Sequence, residues 1–260
     1  MIVTNIKKLK INTDINIISN LTDFSVIKHF IEQNYSKTLK DNEYHGFSDI
    51  KTIKSLKRFE SAVKKSLISF GNSSVEQLIN SIYFNESVSQ DYYVSLFWNL
   101  SFNNDLFSYL NDNVYFPALY SGRISIKSLE VQACIKDLQD KFEEIQNWTP
   151  ITISETSSSY LRILKKLNLM EGGLNKTLKT PHLSDKMFVL FVYWLVSVEE
   201  KSNILNSKWL NYSFMEKKTF VDRLLQKKFS KFYNVTYTGD NLKVEPIITY
   251  DNIYDVITKS

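Results

Sequence analysis

The chain has 260 residues, 43% of them hydrophobic and 14% aromatic, with a formal net charge of +4. These values place it among globular proteins, at a length that forms one large domain or two small ones. With 6 glycines and 4 prolines, it argues against a β-barrel of many tight turns and against glycine-rich phosphate loops.

The first region, 1–71, opens without a signal peptide: Met1 is followed by Asn5, Lys7, Lys8 and Asn12 rather than by an apolar run. A helix is expected over 17–35, with Val26, Ile27, Phe30 and Ile31 on one side. A polar loop over 40–48 leads to a second helix over 51–70. Its apolar stripe is Ile53, Leu56, Phe59, Val63 and Leu67; its other face carries Lys51, Lys54, Lys57, Arg58, Lys64 and Lys65.

The second region, 72–148, reads as helices near 75–83, 89–102, 106–115 and 126–145, separated by turn residues such as Asn103-Asn104-Asp105 and Ser121-Gly122. Tyr92, Tyr93, Leu96, Phe97 and Leu100 form an aromatic face suited to core packing. In the third region, 149–260, a helix is expected over 153–170, followed by Gly172-Gly173 and a basic connector to Thr180. The apolar run from Met187 to Val198 is too short for a bilayer, which takes about 20 apolar residues, and reads as a core helix. Helices near 203–210 and 214–229 precede a β-hairpin, 232–237 with 242–248, around Gly239-Asp240-Asn241. Helix starts are expected at Ser73, Thr152 and Ser213, each with a Glu three residues on as in a capping box, and at Ser184.

Charge is unevenly spread. Residues 1–70 carry a net +5, 71–150 a net −6, and 151–260 a net +5. Basic ends around an acidic middle fit polyanion-binding surfaces, an intramolecular charge match, or solvated helix faces. The single cysteine, Cys134, lies in an apolar helical pattern and reads as a structural thiol in a reducing cytoplasm.

Enzyme signatures are mostly absent. His29, His45 and His182 have no second ligand at metal spacing, and there is no phosphate-loop, dinucleotide or nucleophile-elbow motif. Pairs such as Glu143-Glu144 and Glu199-Glu200 read as solvated surface. No catalytic residue, metal or cofactor is therefore expected.

The helices over 126–145 and 153–170 with the turn 147–151 form a helix-turn-helix candidate. A helix enters a groove when its outward side chains are small at the N-terminal end and basic further along. Ser158 and Ser159, beside Ser157, supply the small polar groups; Arg162, Lys165 and Lys166 supply cations. Lys176 and Lys179 would sit at the tip of a wing. The basic face from Lys51 to Lys65 is a second candidate for backbone contact. Each of these faces also fits an ordinary solvated amphipathic helix. Asn and Gln are absent from the outer face of the 153–170 helix, so phosphate contact is favoured over base reading.

Trp148, then Tyr160-Leu161-x-x-Leu164-x-x-Leu167-x-Leu169-Met170-x-Gly172, then Pro181-x-Leu183-Ser184-Asp185 leading into Phe188, Trp194 and Leu195, resembles the BrxA family of BREX bacteriophage-exclusion systems. The aromatic helices over 89–115 and the basic helix after Asn42 match it in position. The resemblance covers 41–250 and is strongest over 147–195. It rests on helix-packing residues, and Trp148, Leu164, Leu167, Gly172, Pro181 and Trp194 read as scaffold. It implies a compact, mainly α protein of helix-turn-helix or winged-helix character with a small C-terminal β-hairpin. It implies a cytoplasmic, non-catalytic protein that binds double-stranded DNA and works with other BREX components, without a membrane. A protein-interaction scaffold and an RNA-binding helical protein are the alternatives.

Overall fold

The computed structural model describes residues 11–21, 23–24, 27–28, 30–31, 52–139, 141–173, 176–199 and 201–259. The loop expected over 40–48, together with Val26, His29, His45, Lys51 and Glu200, lies outside them. In chain order α1 is Asp14–Ile18, α2 Ile53–Leu67, α3 Ser73–Asn85, α4 Gln90–Asn103 and α5 Asp105–Leu110. A π-helical turn, Asn111–Tyr115, carries α5 into α6, Phe116–Tyr120. Then come α7 Ser128–Gln139, α8 Glu143–Gln146, α9 Pro150–Lys166, β1 Met170–Glu171, β2 Thr177–Leu178 and α10 Asp185–Val198. Two 3-10 turns, Ile204–Asn206 and Lys208–Ser213, precede α11 Lys217–Leu224. A third, Lys227–Phe229, leads to β3 Tyr233–Tyr237, β4 Leu242–Pro246 and α12 Ile253–Thr258. The protein is mainly α, with two small antiparallel hairpins.

Packing divides the chain into two compact units, 1–68 with 99–179, and 69–98 with 180–260. The consecutive segments 1–71, 72–148 and 149–260 are distributed over them, and 72–148 and 149–260 each contribute substantially to both.

Local chemistry sets the helix starts, often a little upstream of the sequence expectation. Asn72, not Ser73, caps α3, its side chain accepting from the Val75 amide at 2.9 Å. Thr149 caps α9, accepting from the Thr152 amide at 3.2 Å, with Pro150 at the first helical position. Proline suits that position because its missing N–H would have no helical partner there. Thr152 and Glu155, expected as a capping box, therefore lie inside the helix. Ser184 caps α10 as expected, accepting from Met187 at 3.1 Å. Ser213 caps nothing: it ends a 3-10 turn, Phe214 turns left-handed at φ 57°, and α11 starts at Lys217.

The helix expected over 126–145 is broken after Gln139. Its side-chain amide donates to the carbonyls of Ile145 at 3.1 Å and Trp148 at 2.9 Å. Those bonds satisfy turn carbonyls that a continuous helix would not expose.

In the first unit, α9 is the helix against which the others assemble. It packs on α1, α7 and β1. Ile153, Tyr160, Ile163 and Leu164 are almost fully buried. The Tyr160 hydroxyl donates to Asn111 Oδ1 at 2.9 Å, and Asn111 in turn donates to Ser101 Oγ at 3.0 Å. Asn111 opens the π turn, so the turn places a polar amide where the core needs an acceptor.

In the second unit, every residue from Met187 to Leu195 is fully buried, which makes α10 the core helix anticipated from its apolar run. Trp194 stacks on Trp98 at 5.8 Å and meets Trp209 edge-on at 5.5 Å. At the mouth of this core, Lys186 bonds the nearly buried Glu86 and lies 3.5 Å from Asp91. The Tyr254 hydroxyl donates to the same Glu86 at 2.7 Å, tying α12 to the end of α3. The hairpin β3–β4 runs in the expected place, from Tyr233 opposite Pro246 to Tyr237 opposite Leu242. Tyr193 fixes its base, donating to Phe232 O at 2.6 Å and accepting from Ile248 N at 3.0 Å. The helices expected over 203–210 and 214–229 are instead the 3-10 turns around a short α11.

Replacing Tyr160 by Phe keeps the ring and leaves Asn111 Oδ1 buried without its donor. A loss of about 1–2 kcal/mol is expected in urea unfolding, read as a lower midpoint at unchanged slope. An unchanged midpoint would remove this hydrogen bond from the account of the core.

Candidate nucleic-acid interface

Helix α9 shows solvent a single row. Ile151, Glu155, Ser158, Arg162 and Lys165 are exposed, and their spacing alternates between four and three residues, one line along a helix. Ser158, Arg162 and Lys165 thus lie on the outer face as read from sequence.

Two residues assigned to that face do not. Ser159 is 1% exposed, and its hydroxyl accepts from the Arg162 guanidinium at 3.0 Å. Lys166 turns back along the helix and donates to the carbonyls of Ser19, at 2.6 Å, and Leu21. Burial pushes the Lys166 ammonium below the usual lysine range; nearby Arg162 adds to that and Asp23 opposes it. Ser157 is also inside, donating to Ile153 O at 2.8 Å. Arg162, though exposed, donates to Asn20 Oδ1 at 3.2 Å. Asn16 Nδ2 adds a bond to Thr156 Oγ1 at 3.0 Å. Helix α1 and the residues after it thus organise the α9 surface, and they belong to a part of the sequence that offered no such signal.

The end of α9 is closed by Asn168 in a left-handed conformation, φ 58°. Leu169 N bonds Leu164 O at 2.9 Å and Asn168 N bonds Lys165 O at 3.0 Å, the two bonds of a Schellman cap. The chain then enters β1, which pairs with β2 through Met170–Leu178 and Glu171–Thr177. Thr177 also pairs with Ser125, on the segment before α7. Lys179 is used at this junction: it donates to Asn168 Oδ1 at 2.7 Å and lies 3.9 Å from Glu171. Lys176 is half-buried and has no partner among the described residues.

The second basic face sits on α2. Thr52 caps the helix, accepting from Ser55 N at 3.1 Å. Leu56, Val63 and Leu67 face inward as expected, whereas Ile53, placed in the apolar stripe by its spacing, is 65% exposed in the first turn. Lys54, Lys57, Arg58, Lys64 and Lys65 are exposed. Lys64 pairs with Glu60 at 2.8 Å, while Lys54, Lys57 and Arg58 have no partner among the described residues. Lys65 lies close enough to Asp14 to oppose the upward push that burial gives that carboxyl. Helix α1 packs against both α2 and α9, so the two basic faces belong to one unit.

Cys134 is half-buried, and burial with nearby Asp137 pushes its thiol up to about 11, away from nucleophilic reactivity. Among the described residues no group of three or more His, Cys, Asp and Glu is placed to hold a metal. None of their helices is long and apolar enough to cross a membrane.

These features define a mainly helical protein whose first unit presents two cationic helix faces. Residues 49–192, from just ahead of α2 into α10, match the family model BrxA. The chain belongs to the BrxA family, whose members are components of BREX phage-defence systems. No curated protein and no solved structure matches it.

Replacing Lys166 by Ala withdraws the donor from two carbonyls of nearly buried residues, Ser19 and Leu21. Loss of about 1–2 kcal/mol is expected in chemical denaturation. An unaltered unfolding curve would show that this hydrogen bonding contributes nothing to the packing of α1.

Proposed function

We propose that this protein grips the phosphate backbone of double-stranded DNA as a non-catalytic accessory component of a BREX system. The observation that carries the reading is the pair of exposed cationic faces in one unit, Arg162 and Lys165 on α9 and Lys54, Lys57, Arg58 and Lys65 on α2. The order of elements supports it. A helix (α6), a paired residue (Ser125), two helices (α7 and α9) and a hairpin (β1–β2) follow one another, with Thr177 bonded into both neighbours. That order resembles a winged-helix domain's, and in this reading α9 would be the groove-facing helix. The α7–α9 connection, with α8 inside it, is longer than a tight helix-turn-helix turn.

The outward row of α9 offers Ser158, Arg162 and Lys165 beyond Glu155, and no Asn or Gln with which to read adenine edges. Affinity then comes chiefly from counterion release and is insensitive to sequence. A second reading, a scaffold that docks a basic protein partner, is favoured by the exposed acidic side chains Asp137, Glu143 and Glu144 around α7 and α8.

Duplex DNA should bind with a dissociation constant on the order of micromolar at physiological salt and weaken steeply as salt rises. Substituting Arg162 and Lys165 together, or Lys54, Lys57 and Arg58 together, should flatten the plot of log affinity against log salt by about 0.9 for each phosphate no longer neutralised. Folded variants that keep the parental affinity and slope would sink the assigned faces. No duplex binding at physiological salt, with capture of a basic BREX component, would favour the scaffold. Stronger binding to RNA of equal length would redirect the reading to RNA.

A further inference from the structure

The second unit contains an open cleft of about 840 Å³ that the DNA-binding reading does not use. Its walls are the 3-10 turn at Leu205 and Asn206, helix α11, and the tip of the β3–β4 hairpin. Its apolar side chains are Leu205 and Val221, nearly buried, and Leu225 and Tyr237, half open at 50% and 42% exposure. Lys217, Lys218, Asp222 and Asp240 complete the lining.

The walls are fixed to each other. Asn203 donates to Asp240 O at 2.9 Å, and its Oδ1 accepts from Leu242 N at 3.0 Å and Leu205 N at 3.1 Å, so one side chain joins the hairpin tip to the 3-10 turn. Lys217 reaches Asn206 Oδ1 at 3.0 Å. The side chains of Lys218, Asp222, Tyr237 and Asp240 have no partner among the described residues. Other charged groups of this unit are engaged, among them Asp185 with Arg223 and Lys228, and Lys186 with Glu86 and Asp91.

We propose that this cleft binds a nucleoside phosphate. The volume suits a ligand of that size, and the lining sets charged side chains beside apolar ones, which suits a ligand that has both kinds of group. Each part of such a ligand has a counterpart here. The Tyr237 ring and Leu225 offer a face for a planar base, Lys217 and Lys218 meet the phosphate, and Asp222 and Asp240 accept from sugar hydroxyls or a base amine. A purely anionic ligand would leave the aspartates opposed to it, and an apolar one would leave Lys218, Asp222 and Asp240 unused.

The test is calorimetric titration of the full chain with ATP, AMP, adenosine and inorganic triphosphate. ATP or AMP should bind in the micromolar to millimolar range, and adenosine or triphosphate alone at least about tenfold more weakly. Tyr237→Ala, and Lys217→Ala with Lys218→Ala, should each weaken nucleotide binding about tenfold while leaving duplex DNA affinity unchanged. Absence of nucleotide binding at millimolar concentration overturns the proposal. So does triphosphate binding as tightly as ATP, or nucleotide affinity unaltered in folded variants. Since the test does not involve the α2 and α9 faces, its failure leaves the DNA-binding reading standing.

Discussion

Burial of α9 on three fronts is the constraint from which the first unit follows. The helix packs against α1, α7 and β1, so most of its circumference is interior. Neighbouring backbones can approach because the buried middle of α9 carries Thr156, Ser157 and Ser159, which are small. Their hydroxyls are used locally: by Asn16, by the helix's own carbonyl, and by Arg162. An unpaired hydroxyl in the same places would cost a desolvation penalty of about 1–3 kcal/mol. Packing therefore settles how much of α9 is left to solvent, and what it leaves is one row of Ile151, Glu155, Ser158, Arg162 and Lys165.

The role of Lys166 follows from the same burial. The end of a short helix leaves carbonyls without helical donors, and α1 ends under α9 in surroundings with little room for water. An ammonium from the neighbouring helix meets that need, and its depressed proton affinity reflects the burial this entails. A lysine used in this way cannot also lie against a phosphate. The same holds in part for Lys179, held at the Asn168 cap, and for Arg162, which is shared with Asn20. On α2, by contrast, Lys54, Lys57 and Arg58 point away from the core without internal obligations.

Local patterns carried well from sequence to structure. The apolar run 187–198 became a core helix, the alternation around Gly239 became a hairpin, and Ser184 became a cap, because spacing and a single hydroxyl decide each of these. Sequence fails where the deciding partner is distant or where several local solutions compete. Thr149-Pro150 and Thr152 both read as helix starts, and the proline's fixed geometry favours the first. The break after Gln139 depends on a side chain folding back over nine residues to Trp148. The inward turn of Lys166 depends on carbonyls 145 and 147 residues away, beyond the reach of helical periodicity. The two-unit division is hidden for the same reason, since each unit joins separate stretches of chain.

A count of basic residues is therefore a poor guide to binding in this protein. Many of its cations and amides are engaged internally: Gln139 closes a turn, Lys179 holds a helix end, Lys186 neutralises Glu86, and Arg223 is pinned between Asp185 and the ring of Phe188. Each has already exchanged much of its hydration for a protein partner, so a ligand gains little by approaching it. The informative groups are those the fold leaves unmatched. In the first unit they include Lys54, Lys57 and Arg58 on α2 with Lys165 on α9, the set on which the phosphate-binding proposal rests. In the second they include Lys218, Asp222, Tyr237 and Asp240, a set of both signs beside Leu205, Val221 and Leu225. A uniform polyanion satisfies the first set and would be opposed by the aspartates of the second, so the two surfaces call for ligands of different chemistry.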